Sequence, residues 1–233
     1  MILFLNDIFL FAKTGKIEKV SWNSFEFFKA FVLSLIMSYM VFILIIAIMQ
    51  GILYYLNLPP PINNSALFFK NKTFAYKLST VGLIGPILEE LSFRLLLKYQ
   101  PVNFIIFLFA STLNVDIIKN FSIVCIVSLY AFLGLVIHQF LSIHKCTDNL
   151  IRKIFETYPR LILYFSITLF AIIHLFNYNL SSIPTLLIPF IILPQFFDAF
   201  ILSYFRVSFG IIASISLHSV HNLLLIFISH LNN

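Results

Sequence analysis

The chain has 233 residues, 61% of them hydrophobic and only 10% charged, against roughly 25% charged in an ordinary soluble domain. So much apolar surface excludes a single soluble core. The apolar runs reach about 20 residues, the length that spans a bilayer, so lipid is the expected solvent. The formal charge of +6 comes from basic residues scattered between these runs with no long stripe, a pattern that fits membrane topology and argues against a nucleic-acid partner.

The expected fold is all-α, a polytopic transmembrane helical bundle of about seven (six to eight) membrane helices. Residues 1–26 read as an N-terminal interfacial segment. The first twelve are apolar but include Asn6 and Asp7 and lack a leading basic region, so they do not make a signal peptide. Residues 27–233 read as the transmembrane helical domain. Its candidate spans lie near 27–56, 78–99, 102–114, 121–143, 161–178, 184–205 and 210–230. The first is longer than a bilayer needs and ends before Pro59, Pro60 and Pro61, which cannot continue a helix. The Asn- and Lys-containing stretch after it reads as a loop, and the short third span is a candidate re-entrant segment.

Counting basic residues on alternate sides gives Lys13, Lys16, Lys19, Lys98, Lys145, Arg152, Lys153, Arg160 and Arg206 on one side. Lys70, Lys72, Lys77 and Lys119 fall on the other. By the positive-inside rule this predicts a cytoplasmic N-terminus. The 29 Phe, with many Ile, Asn and Lys, hint at an AT-rich genome and a bacterial plasma membrane. Cys125 and Cys146 form neither a metal-ligand pattern nor a disulfide framework.

An ionisable side chain at membrane depth costs about 2.5–3.5 kcal/mol on insertion scales, which makes it a functional candidate. The densest group is Gly85-Pro86-Ile87-Leu88-Glu89-Glu90-Leu91-Ser92-Phe93-Arg94. On a helix Glu90 and Arg94 stand four apart and pair, while Glu89 points about 100° away, free to face a cavity as a general base. The alternative is a helix end at the water interface, with all three groups solvated. The fifth span carries Phe170 and His174, with Asn177 on nearly the same face. The seventh places His218 and Asn222 four apart on one face, with His221 off that line as an interhelical partner. Asp198 and Gln195 in the sixth span are further polar residues without a role. Counted from the inner ends of their spans, Glu89, His174 and His218 lie at about 15, 20 and 12 Å depth.

These elements, Glu89-Glu90-x-x-x-Arg94, Phe170-x-x-x-His174 and His218-x-x-x-Asn222, resemble in kind and order those of the CPBP family of intramembrane endopeptidases. That family includes the type II CAAX prenyl endopeptidases and bacteriocin-processing, Abi-type proteins. The resemblance covers residues 85–222 and places a protease-like core at about 78–230. It implies that Glu89 and His174 polarise a water for attack on a peptide carbonyl. His218 and Asn222 would then stabilise the oxyanion, and Glu90 with Arg94 would hold the helix. It further implies a membrane peptide or lipidated-protein substrate and contact with lipid. One departure is Leu95, where the family often has Gly. Zinc held by Glu89, His174 and His218 is an alternative. The metal-free route is favoured and no cofactor is expected, because Asn is an uncommon zinc ligand and His-Glu-x-x-His is absent. Two other functions remain in play: a non-catalytic immunity or binding protein on the same fold, and a proton-coupled transporter.

Overall fold

The computed structural model describes residues 2–17, 23–103, 106, 107, 110, 123–179 and 183–231. Among these residues the regular structure is helical, and the one β pairing is an isolated bridge between Asn63 and Tyr178. Helix α1 (Ile2–Thr14) is followed by α2 (Ser24–Tyr55) and the short α3 (Asn64–Lys70). A helical rod then runs from α4 (Phe74–Lys77) through π-helical turns at Leu78–Ile84 into α5 (Gly85–Phe93). After it come α6 (Ile123–Ile143), the amphipathic α7 (Lys145–Thr157), α8 (Pro159–Ile173) with a 3-10 extension His174–Asn177, α9 (Ile188–Phe209) and α10 (Ile211–Leu231).

Among the described residues, four helical stretches are long and apolar enough to cross a membrane: Ser24–Tyr55, Pro159–Asn177, Thr185–Phe209 and Ile211–Leu231. Large apolar side chains face outward from them, Phe165 at 68% and Ile212 at 77% exposed, as a lipid solvent allows and water does not. The second candidate span is helical but divided by its π turns, and its α-helix stops at Phe93, short of the expected end at 99. The candidate at 102–114 lies largely outside the described residues. The fourth forms α6.

Helix α9 is the centre of the bundle. It packs against α2, α8 and α10 and buries Ile201, Leu202, Tyr204 and Phe205. Helix α2 starts where the Asn23 side chain accepts from the Glu26 amide at 2.9 Å, an N-cap that satisfies one orphan donor. Its buried face is small, Ala30, Ser34 and Ser38 at successive four-residue steps, which lets the backbones of α2 and α9 approach closely. Helix α1 buries Phe4 and Phe11 in the same core, both edge-on to the Tyr204 ring.

The predicted loop after α2 is partly helical. Asn63 caps α3, and the bridge to Tyr178, with Asn179 N–H donating to the Ile62 carbonyl at 2.9 Å, ties this region to the end of α8. The loop expected between the last two spans shrinks to one residue, because α9 continues to Phe209 and Gly210 turns the chain at φ 98°. Only glycine enters that region without a steric penalty.

Candidate functional site

Pro86 sets the local geometry of the rod that carries the two glutamates. It has no N–H to donate, and the turns just before it widen to the π form, in which the Gly85 N–H reaches the Thr80 carbonyl five residues back. The equivalent donor for the Val81 carbonyl would be Pro86 itself, so that carbonyl is orphaned within the rod. Asn222 of α10 supplies the missing partner, donating from Nδ2 to Val81 O at 3.0 Å. The two elements meet because Gly82 has no side chain: a Cβ there would lie 2.6 Å from Leu223 Cδ2.

Two turns later the same rod presents Glu89 and Glu90, and their environments differ sharply. Glu90 is completely buried. Its Oε1 pairs with Arg94 Nη1 at 3.3 Å and accepts from His218 Nδ1 at 3.0 Å, while its Oε2 accepts a short hydrogen bond from the Ser214 hydroxyl. Glu89 is 28% exposed, and its Oε2 stands 3.6 Å from His218 Nε2. His218 is therefore held between the two carboxylates, one ring nitrogen toward each. This is the principal convergence of the expected site: α5 and α10 bring Glu89, Glu90, Arg94 and His218 together.

Arg94 is fully buried as well, with its guanidinium 3.8 Å from the centroid of the Phe170 ring. Phe170 links this cluster to the remaining histidine. Its ring lies 4.3 Å from that of His174 and 6.4 Å from that of His218. His174 Nδ1 lies 2.8 Å from the Phe170 carbonyl oxygen. A carbonyl only accepts, so Nδ1 carries the proton in that bond and the neutral ring keeps its lone pair on Nε2.

Several expectations need correction. Glu89, Glu90 and Arg94 are not mid-helix: α5 ends at Phe93, and Arg94 is its C-cap. Yet the group is not the solvated helix end weighed above, since Glu90 and Arg94 are both 0% exposed. His174 sits at the change from α-helix to 3-10 helix near the end of its span, not deep within it. Asn177 is turned away from the cluster, accepting from Ser65 at 3.0 Å. Arg206, counted as a loop cation, is inside α9 and 8% exposed.

Arg206 is also the residue that sequence reasoning missed. It donates from Nε to the Arg94 carbonyl and from Nη2 to the Leu95 carbonyl, both at 3.2 Å. Each carbonyl also has a second donor, the Leu97 N–H to Arg94 O at 3.2 Å and Asn103 Nδ2 to Leu95 O at 3.4 Å, and both lie deep in protein. Arg206 lets the rod end in the interior directly beneath its glutamates. A cation inside the apolar run from Ile188 to Phe209 was the available signal.

A separate polar group lies between α2, α9 and α10. Asp198 Oδ2 is 3.8 Å from His221 Nδ1, the His221 ring packs edge-on to Tyr39 at 4.7 Å, and Tyr39 donates to the His221 carbonyl at 2.8 Å. His221 is thus an interhelical partner.

Zinc chemistry finds no support in this donor set. Among the described residues no three or more His, Cys, Asp and Glu side chains are grouped as a metal site. His218 Nδ1 is engaged by Glu90, and the arrangement does not gather Glu89, His174 and His218 as ligands of one ion.

Fold and site together define, among the described residues, a helical protein with helices long and apolar enough to cross a membrane and a buried Glu-Arg-His network. The chain matches no protein-family model, no curated protein and no solved structure.

Proposed function

We propose that the protein is a multi-pass intramembrane endopeptidase, similar in site design to the CPBP family, that hydrolyses a peptide bond in a membrane-associated substrate. The observation that carries this reading is the division of labour between adjacent carboxylates. Glu90 is consumed by Arg94, His218 and Ser214, whereas Glu89 is partly exposed and faces His218 Nε2 at 3.6 Å. A buried network that fixes one acid while leaving its neighbour available beside an imidazole suits proton transfer.

In this mechanism Glu89 accepts a proton from a water that attacks the scissile carbonyl, aided by the free Nε2 of His174, and returns it to the departing amine nitrogen as the carbon–nitrogen bond breaks. His218 donates from Nε2 to the developing oxyanion in its doubly protonated form, with Glu90 holding Nδ1. Asn222 has a second amide N–H for the same oxyanion, its first being given to Val81. Arg94 and Arg206 position the helix end.

The proposal includes about seven spans, a cytoplasmic N-terminus and a bacterial plasma membrane. The four span-length helices support a membrane protein, and the basic-residue asymmetry, which persists without the buried Arg206, supports the orientation. No cofactor is required, and the substrate is a membrane peptide or a lipidated protein.

Reconstituted protein should cleave a precursor that accumulates uncut in membranes carrying Glu89→Gln, seen by comparing membrane proteomes. Glu89→Gln with unchanged helix content and unchanged cleavage would remove the mechanism. A second reading, a non-catalytic immunity or binding protein, draws on one observation, that Asn222 is already committed to the Val81 carbonyl. It predicts no cleavage in any variant and capture of an intact peptide.

A further inference from the structure

We infer that the groove between the end of α1 and the start of α8 is a binding site for the phosphate headgroup of an anionic phospholipid. The groove has a volume of about 640 Å³ and lies away from Glu89 and His218. Its lining includes Lys13, Lys16 and Arg160, with Tyr158, Leu161 and Tyr164. No acidic side chain lines it among the described residues.

The walls are built, not incidental. Helix α1 ends in Gly15 at φ +69°, whose N–H donates to the Phe11 carbonyl at 2.7 Å, and this turn lies directly on the backbone of Pro159 and Arg160. A Cβ at Gly15 would stand 2.6 Å from the Arg160 nitrogen, so only glycine admits this approach. Across the groove, the Tyr164 hydroxyl donates to the Ala12 carbonyl at 3.0 Å, and the Arg160 guanidinium sits 5.9 Å from the Tyr164 ring. Two lysines from α1 and one arginine from α8 are thereby brought to one concave surface, though they are far apart in sequence.

Location selects the ligand. Helix α8 opens a stretch long and apolar enough to cross a membrane, so its first turn lies at that stretch's water boundary. Tyrosines and snorkelling cations characterise that level of a bilayer. Leu161 and Phe165, 69% and 68% exposed beside the groove, offer acyl chains an apolar surface. A phosphate diester on a lipid satisfies charge and apolar surface together, whereas free phosphate would use only the first.

The test uses the full chain in vesicles of phosphatidylcholine with phosphatidylglycerol, followed by native mass spectrometry of the lipid retained on extraction. Near a membrane surface each cation is worth about fivefold in anionic-lipid affinity, so Lys13→Gln with Lys16→Gln and Arg160→Gln should lower phosphatidylglycerol retention on the order of 100-fold. Phosphatidylcholine retention should not change. Thr157→Asp, which places an acid at the exposed rim without touching the packed turn, should give a smaller loss of the same selectivity. Unchanged phosphatidylglycerol retention in both variants, or equal loss of both lipids, overturns the site. Glycerol phosphate in solution competing as well as intact lipid overturns the lipid assignment in favour of a soluble phosphate ligand.

Discussion

Substituting Arg94 by Met tests whether the buried ion pair holds the helix that carries the candidate catalytic acid. Glu90 and Arg94 are both completely buried, with 3.3 Å between Oε1 and Nη1. At an effective dielectric of 20 their attraction is about 5 kcal/mol. Losing the contact with the Phe170 face removes about 1–2 kcal/mol more. His218 and Ser214 still bond Glu90 in the variant, which returns part of the loss. The expected destabilisation is therefore about 3–5 kcal/mol, the range for stripping one partner from a buried pair. For a chain of this length that corresponds to a fall in Tm of about 6–20 °C, read from helical circular dichroism in detergent micelles. The control is Glu90→Gln with Arg94→Met, which removes both charges together and should be less damaged than Arg94→Met alone. If Arg94→Met melts within about 1 kcal/mol of the parent, or if the double variant is at least as unstable as the single, the pair does not organise this site.

Three further outcomes follow from neighbouring contacts. Gly82→Ala should lower thermal stability by no more than about 1 kcal/mol, because its Cβ meets the rotatable end of Leu223 and can displace it; a larger fall in Tm would show that Leu223 is locked in place. Arg206→Met should take one of two donors from each of the Arg94 and Leu95 carbonyls, at a loss of about 1.5–3 kcal/mol for charged hydrogen bonds, with cleavage lost in step; Arg206→Lys should rescue it incompletely, since one ammonium does not reproduce two guanidinium donors. Outside the span-length helices, burial and then the hydrogen bond to Asp148 at 2.8 Å push the Tyr99 phenol up to about 12. Its contribution to folding should be intact below the ordinary tyrosine value near 10 and disappear as pH rises from there through 12. The difference between parent and Tyr99→Phe in an ultraviolet phenolate titration measures it directly.

The features legible in the sequence were those that depend on a single helix. The four-residue spacing of Glu90 and Arg94 gave their pairing from helical periodicity alone, and the length and apolarity of the run from Ser24 to Tyr55 gave α2. What the sequence hid depends on helices meeting. The engagement of both His218 nitrogens requires the relative rotation of α5 and α10, which no periodicity encodes. The role of Arg206 was obscured because a basic residue near a helix end reads as an interfacial charge, whereas its carbonyl partners come from a rod that ends in the interior. Local backbone geometry was equally hidden. The 3-10 turn at His174 and the π turns at Leu78–Ile84 displace side chains from the positions an ideal helix would give them.

The π turns account for how the two helices keep their register. Pro86 removes the donor that the Val81 carbonyl would use, and Asn222 replaces it from the neighbouring helix. One turn back along α10 lies His218, bonded to Glu90 one turn past Pro86. Two interhelical contacts four residues apart, from Asn222 to a backbone carbonyl and from His218 to a carboxylate, pin rotation and translation of α10 against α5 at once. The Ser214 hydroxyl, one turn further back along α10 and bonded to the same Glu90 carboxylate, adds a third point to this seam. The spacing of His218 and Asn222 therefore has a structural meaning independent of any reaction. Whatever chemistry the site performs, Glu89 faces His218 because that pair of contacts leaves its carboxylate the outer ring nitrogen of the same imidazole.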